Sequence, residues 1–207
     1  MPLYQTIKIN DSTTIYLWKI EETFEDLFDA VALTDINYIR LNTMKSESHQ
    51  KGFLSVRMLL NHCGLTDFDL YYDEFGKPHL KNNKHISISH SFDFSAIAIS
   101  DENIGIDMEL IKEKVLKIAP RFMDVTHLDE LTHKEQMRKA TVIWGIKESI
   151  FKLENEAGIS FQDHIFENPF YLSDKKCTAE LHFNNTIQQY IIYFEEIENY
   201  TLVCALK

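Results

Sequence analysis

Cysteine, basic charge and long apolar runs are what this sequence has least of, and each shortage excludes something. Cys63, Cys177 and Cys204 are the three cysteines, scattered and with no C-x-x-C pair. They read as reduced thiols, not as a disulfide frame or a cysteine zinc site. No apolar run approaches the ~20 residues of a membrane span, and Met1-Pro2-Leu3-Tyr4-Gln5 shows no basic-then-apolar leader. The expectation is a cytoplasmic protein with no membrane partner. Lys and Arg number 21 against 32 Asp and Glu, a net charge of −11, and no long Lys/Arg run occurs. A nucleic-acid binder normally shows a basic face, so no nucleic-acid partner is expected. A local basic pocket is still compatible with this balance, because net charge is not a map. Low-complexity segments and Gly/Ser linkers are also missing.

What is present suffices for a core. Hydrophobic residues make up 44% of the 207 and aromatics 12%, which excludes wholesale disorder and suits one large domain or two small ones. Residues 3–20 read as one or two strands, residues 21–33 and 35–44 as helices, and residues 46–63 as a long helix. That long helix has Ser46 as N-cap, a stripe of Phe53, Val56, Leu59 and Leu60, and Gly64 as its stop. Leu70-Tyr71-Tyr72 is a strand, and Gly76 and Pro78 mark a turn. Ile86–Ser89 and Phe94–Ser100 alternate like strands joined by His90-Ser91-Phe92-Asp93. After residue 110 come a short piece interrupted by Pro120, a short helix capped by Thr126, and a second long helix over 136–157 stopped by Gly158. Strands are expected over 160–166, 179–183, 188–194 and 200–206.

Each half thus holds a long helix ending in glycine, followed by strands that close in a tight pair. The fold class expected is α+β: two pseudo-symmetric lobes, 1–103 and 104–207. Each is a small, mostly antiparallel sheet packed on a long helix, with the active site in the cleft between them.

The stretch Ile104-Gly105-Ile106-Asp107-Met108-Glu109-Leu110 organises the rest. As a strand it sends Ile104, Ile106, Met108 and Leu110 to one face and Gly105, Asp107 and Glu109 to the other. Two carboxylates side by side repel, and a hard cation such as Mg²⁺ would offset them; the plain alternative is a solvated strand face. Bare Gly105 lets another group approach the backbone. In the second long helix Trp144, Glu148 and Lys152 recur every four residues and share a face. This is either a surface Glu–Lys pair or, with Trp144 covering it, a partly desolvated one kept for a purpose. Ser87-Ile88-Ser89-His90-Ser91 places hydroxyls and an imidazole at a strand end. By itself His90 reads as structural, Gly76-Lys77-Pro78 as a turn, and Arg57 as an exposed helical arginine.

Taken in order, Gly76-Lys77-Pro78, Ile88-Ser89-His90-Ser91, Gly105-Ile106-Asp107-Met108-Glu109 and Trp144-x-x-Lys147-Glu148-Ser149-x-x-Lys152 form a set. The sequence resembles the 4′-phosphopantetheinyl transferases, specifically the two-lobed Sfp-type. The G-[IV]-D-x-E and W-x-x-K-E-[SA]-x-x-K motifs are intact, and the weaker Arg57-Met58-Leu59-Leu60 extends the likeness.

The resemblance implies that a carrier serine attacks the β-phosphate of coenzyme A, a co-substrate lying between the lobes. The phosphopantetheinylated carrier and adenosine 3′,5′-bisphosphate would be the products. It implies Mg²⁺, with Mn²⁺ as a substitute, on Asp107, Glu109 and Glu148. Lys152 would stabilise charge, and Glu148, directly or through water, would serve as base, with a metal-bound water as the rival. His90 would contact the 3′-phosphate with Ser89 nearby, Lys77 and Pro78 in their turn would border the adenine, and Arg57 and, by position alone, Lys51 would add charge to the 3′-phosphate region. The partners are an apo acyl or peptidyl carrier protein and coenzyme A, and a monomer suffices. A CoA- or nucleotide-binding module of the same fold without catalysis is the alternative.

Two departures from the pattern matter. The family's Glu after an Arg-Phe pair is not found after Arg121-Phe122, where His127 stands with Asp129 and Glu130 beyond. Ala157 precedes Gly158 where a basic residue is usual. The acidic balance also argues for an apolar carrier-docking surface, with Phe122, Met123 and Leu128 as its candidates.

Overall fold

The chain starts with an antiparallel hairpin, β1 (Gln5–Lys8) on β2 (Thr13–Lys19). Helix α1 (Phe24–Asp29) follows, held at its start by a capping box between Thr23 and Asp26. It is shorter than the span expected from its periodicity, because the chain leaves the helix at Ala30. Helix α2 (Asp35–Thr43) leads to α3 (Glu47–His62), whose N-cap Ser46 accepts from the His49 amide. Gly64, at φ +72, turns the chain out of α3. Strands β3 (Leu70–Tyr72) and β4 (Pro78–Leu80) form a small hairpin across Gly76, at φ +86. Next come β5 (His85–Ser91) and β6 (Phe94–Ser100). Here β5 runs two residues beyond the expected strand, so His90 and Ser91 lie in it, and the turn narrows to Phe92-Asp93.

The sheet order is β1-β2-β6-β5, with α3 packed on β2, β5 and β6. The stripe expected on α3, together with Leu54, meets Trp18, Leu27, Leu41, Ile86 and Ile97 in one core. Each fully buried aliphatic side chain there contributes roughly 1.5–3 kcal/mol.

The second part of the chain begins at β7 (Ile104–Leu110). Helix α4 (Lys114–Ile118) gives way to a 3₁₀ turn at Ala119–Arg121, where Pro120 cannot continue the α-helical ladder. A second 3₁₀ turn, Val125–Leu128, is capped by Asp124, whose Oδ1 accepts from the Thr126 amide and hydroxyl at 3.0 and 2.8 Å. Thr126 therefore lies inside the turn it was expected to cap. Helix α5 (His133–Glu154) begins at a Thr132–Glu135 capping box and ends on Asn155, at φ +53, before Gly158 is reached. Residues 160–166 are not one strand. Ser160 caps the short α6 (Phe161–His164), and only then does β8 (Ile165–Glu167) begin. Strands β9 (Lys176–Phe183), β10 (Thr186–Ile197) and β11 (Tyr200–Leu206) complete an antiparallel sheet of order β7-β11-β10-β9-β8, with α5 on β7 and β11.

The computed structural model describes residues 3–207, in an α+β fold with two compact units, one ending at Glu102 and the other Asn103–Lys207. The start of the leader reading, Met1-Pro2, lies outside the described residues. No helix among the described residues is long and apolar enough to cross a membrane.

Two sequence expectations are corrected by burial. Phe122, Met123 and Leu128 are 1%, 4% and 7% exposed, so they form core and not a docking surface. The Pro120 turn folds that segment back, and Phe122 meets the ring of Trp144 edge-on at 5.1 Å. Arg57 is 2% exposed and is not a free cation for a phosphate. Its Nε donates to Asp67 Oδ1 at 2.8 Å, its Nη1 donates to the Phe53 carbonyl at 3.1 Å, and it covers the Phe53 ring at 3.5 Å. Asp67 also accepts from the amide and hydroxyl of Thr34, the α2 N-cap, and from Asn37. This charge pair therefore ties α3 to the start of α2.

Candidate active site

Gly105 and Gly145 set the distance between α5 and the sheet. A Cβ on Gly105 would sit 1.8 Å from the Ser149 carbonyl oxygen, and one on Gly145 would sit 2.5 Å from Val203 Cγ2. Only glycine lets the helix come this close. The group that approaches bare Gly105 is thus the α5 backbone, and this contact carries Glu148 and Lys152 to the polar face of β7.

On that face the Lys152 ammonium donates to Asp107 Oδ1 at 2.7 Å and to the Ile106 carbonyl at 3.0 Å. Asp107 is 4% exposed, paired in register with Val203 of β11. Glu148 is half-buried. Burial first, then the charge of Asp107, holds its carboxyl above the usual carboxylate range, with Lys152 pulling the other way. Two carboxylates and one ammonium therefore share a partly dehydrated spot built from β7 and α5. Glu109 is two residues on along the same strand face, opposite Thr201. Among the described residues no three His, Cys, Asp or Glu side chains are gathered as a ready metal site. Hard oxygen donors that repel each other fit a divalent cation chemically, and Asp107 with Glu148 is the pair that does so.

The candidate residues of the first unit fall into three places. His90, exposed on β5, has its ring 5.2 Å from that of His49 and lies over Gly52 of α3, where a Cβ would be 3.0 Å from Nδ1. Ser89 is buried beside it in the strand. Lys51 lines a cavity of about 230 Å³ with Ile20, Glu47, Ser48, Phe92 and Asp93. Lys77 and Pro78 close the β3–β4 hairpin, where Asp73 Oδ1 accepts from the Lys77 amide at 2.9 Å. From the sequence His49 reads only as the N3 residue of the helix capped by Ser46; its place beside the His90 ring is a property of the fold. In the sequence Lys147 stands only as a member of the W-x-x-K-E motif with no role of its own, and its partner Glu167 was missed; a lysine on the buried side of a long amphipathic helix is the signal that would have called for a carboxylate.

The superfamily model of the 4′-phosphopantetheinyl transferases matches residues 103–205. The 4′-phosphopantetheinyl transferase ffp of Bacillus subtilis is 31% identical over 174 residues, 79% of this chain and 76% of the relative. The chain belongs to the 4′-phosphopantetheinyl transferase superfamily. Two other transferases of that name match over shorter stretches. Gsp of Aneurinibacillus migulanus is 30% identical over 64% of this chain and 56% of its own length. Sfp of Bacillus subtilis (strain 168) is 32% identical over 54% of each. The chain thus spans about half the length of these two relatives. Both transferase motifs, with Gly105, Asp107, Glu109, Trp144, Glu148 and Lys152, fall inside the stretch that the superfamily model covers.

Proposed function

We propose that this chain moves the 4′-phosphopantetheine group of coenzyme A onto a serine of an apo acyl or peptidyl carrier protein, in a Mg²⁺-dependent reaction. The observation that carries the reading is the meeting of Asp107, Glu148 and Lys152 on one partly dehydrated spot, inside the stretch that matches the superfamily. The serine Oγ forms a bond to the β-phosphorus, and the bond from that phosphorus to the bridging oxygen breaks. Adenosine 3′,5′-bisphosphate leaves, and the serine proton passes to Glu148, directly or through water. Lys152 offsets negative charge that grows on the diphosphate oxygens, and its contact with the buried Asp107 fixes where that charge stands. Asp107 and Glu148 would hold Mg²⁺ or Mn²⁺, with Glu109 as the third carboxylate; the ion supplies charge neutralisation at the diphosphate. His90, Ser89, Lys51, Lys77 and Pro78 would bind the nucleotide end of coenzyme A, with Lys51 adding positive charge.

The test is direct: incubate the protein with coenzyme A, Mg²⁺ and a panel of apo carriers, and weigh the carriers. A mass gain of one phosphopantetheine is expected for at least one of them. Binding of coenzyme A with no mass gain on any carrier would refute transfer. It would leave the binding-module reading, which the lack of three gathered metal-ligating side chains among the described residues favours.

A further inference from the structure

Lys147 and Glu148 are neighbours on α5 with different surroundings. Lys147 is 2% exposed, and its ammonium sits 2.8 Å from Glu167 Oε2 and also donates to the Ile165 carbonyl. Glu167, at the end of β8, is itself buried, and its other oxygen lies 2.9 Å from His127 Nδ1. His127, Lys147 and Glu167 border an open cavity of about 680 Å³ together with Asp124, Gln162 and Phe166. An ammonium this deep stays buried only while paired, and without its carboxylate it would seek the water of that cavity.

The pairing constrains the helix. Successive residues of an α-helix point about 100° apart, so fixing the direction of Lys147 fixes that of Glu148. Helix α5 is already pressed to the sheet by its Ser149 backbone on Gly105 and by Gly145 on the Val203 side chain. Those contacts set its distance from the sheet, while the buried Ile143, Ile146 and Ile150 and the Lys152 hydrogen bonds resist its rotation from the sheet side. The Lys147–Glu167 pair, on another side of the helix, adds a directional polar restraint next to Glu148.

We infer that Glu167 is a positioning residue of the transferase site, braced by His127 and acting through Lys147 to hold the turn of α5 that bears Glu148 and Lys152. The inference rests on the transferase reading. Glu167 touches no reacting group; it sets where Glu148 stands.

The test compares the wild type, Glu167→Gln and the double variant Lys147→Met/Glu167→Leu, which replaces the pair with apolar side chains of similar size. Glu167→Gln is expected to lower kcat about tenfold while the KM for carrier and the Kd for coenzyme A stay within about twofold. Amide exchange is expected to quicken across residues 144–152 and not elsewhere in α5. The double variant is expected to regain the thermal midpoint, since apolar replacement of a buried pair is tolerated, but not kcat. Should Glu167→Gln fail to fold, the double variant decides. Recovery of kcat together with the midpoint would overturn the inference, as would unchanged kcat and unchanged exchange in Glu167→Gln. No transfer by the wild type would refute the transferase reading alone. Exchange across 144–152 would then decide the positioning role: quickened exchange confined there supports it, and unchanged exchange overturns it.

Discussion

Gly105→Ala adds one methyl group where the structure has no room for it. The new Cβ would stand 1.8 Å from the Ser149 carbonyl oxygen, 2.8 Å from the carbonyl carbon and 3.1 Å from Leu153 Cβ. The first two neighbours are helix backbone, which cannot swing aside as a side chain can. Cβ contacts under 3.0 Å are essentially never found, so α5 has to retreat by about 1.2 Å at Ser149 in a core packed as tightly as a crystal. Such overpacking costs ~1–3 kcal/mol, occasionally more. Gly105 does not sit at positive φ, so the change also removes unfolded-state freedom, which offsets ~0.4–1 kcal/mol. The net loss is then about 1–2 kcal/mol, or a fall of about 2–8 °C in the thermal midpoint for a chain of this size. The same retreat would stretch the 2.7 Å Lys152–Asp107 contact beyond hydrogen-bond range unless Lys152 followed. A misplacement of that size costs about 10²-fold in turnover.

Gly145→Ala is the control. Its nearest neighbour is a Val203 methyl at 2.5 Å, a side chain, so a smaller loss is expected, recovered by adding Val203→Ala. Denaturation curves and carrier mass gain read both effects. Full turnover and an unchanged midpoint in Gly105→Ala would refute the claim that backbone contact sets the site.

Arg57→Ala should cost ~3–5 kcal/mol by leaving Asp67 buried and unpaired, with coenzyme A affinity of the folded fraction unchanged. Urea denaturation and calorimetry separate the two, and a lost affinity at full stability would restore Arg57 to the binding site. Asp67 also predicts an acid limb. Burial is the largest single influence and pushes its carboxyl up, but the Thr34 amide, the Arg57 charge and Asn37 together hold it below the ordinary 3.8. The stability it contributes is therefore present above pH 3.8 and is lost as pH falls through the lower folded value. Asp67→Asn should flatten that limb in acid titration of the fold, and an unaltered limb counts against this account. Among the carboxylates, Asp107→Ala should abolish carrier modification. Glu109→Ala should leave a measurable rate with a raised Mg²⁺ requirement, because Asp107 is the carboxylate that takes the Lys152 ammonium and acts on Glu148. Equal loss in both variants, read as rate against Mg²⁺, would show that all three carboxylates act alike.

What the sequence makes legible is what local chemistry determines. The α3 stripe of Phe53, Val56, Leu59 and Leu60 and the alternation of Ile104, Ile106 and Met108 need only a period, and both are buried as that period demands. Asp107, Glu148 and Lys152 were legible for a different reason: two motifs with fixed internal spacing name them, and bare Gly105 admits α5 close enough for them to meet. Where a second, distant segment decides the outcome, the same reading fails. Arg57 looks like a surface arginine until Asp67, ten residues away, folds onto it. Ser160 fits either a strand start or a helix cap, and the side chain of Asp163 settles it by accepting from the Ser160 hydroxyl at 2.7 Å while Ser160 takes the Asp163 amide. Phe122, Met123 and Leu128 look like a docking patch because a charge argument asked for one, yet Pro120 turns them inward. The Lys147–Glu167 contact spans twenty residues and two elements, and no period encodes it. A buried ammonium implies that some carboxylate must exist, but which one is a property of the fold. If Glu167 can be exchanged for an apolar residue together with Lys147 at no loss of turnover, then the local motifs alone specify the site, and the long-range pair only stabilises the protein.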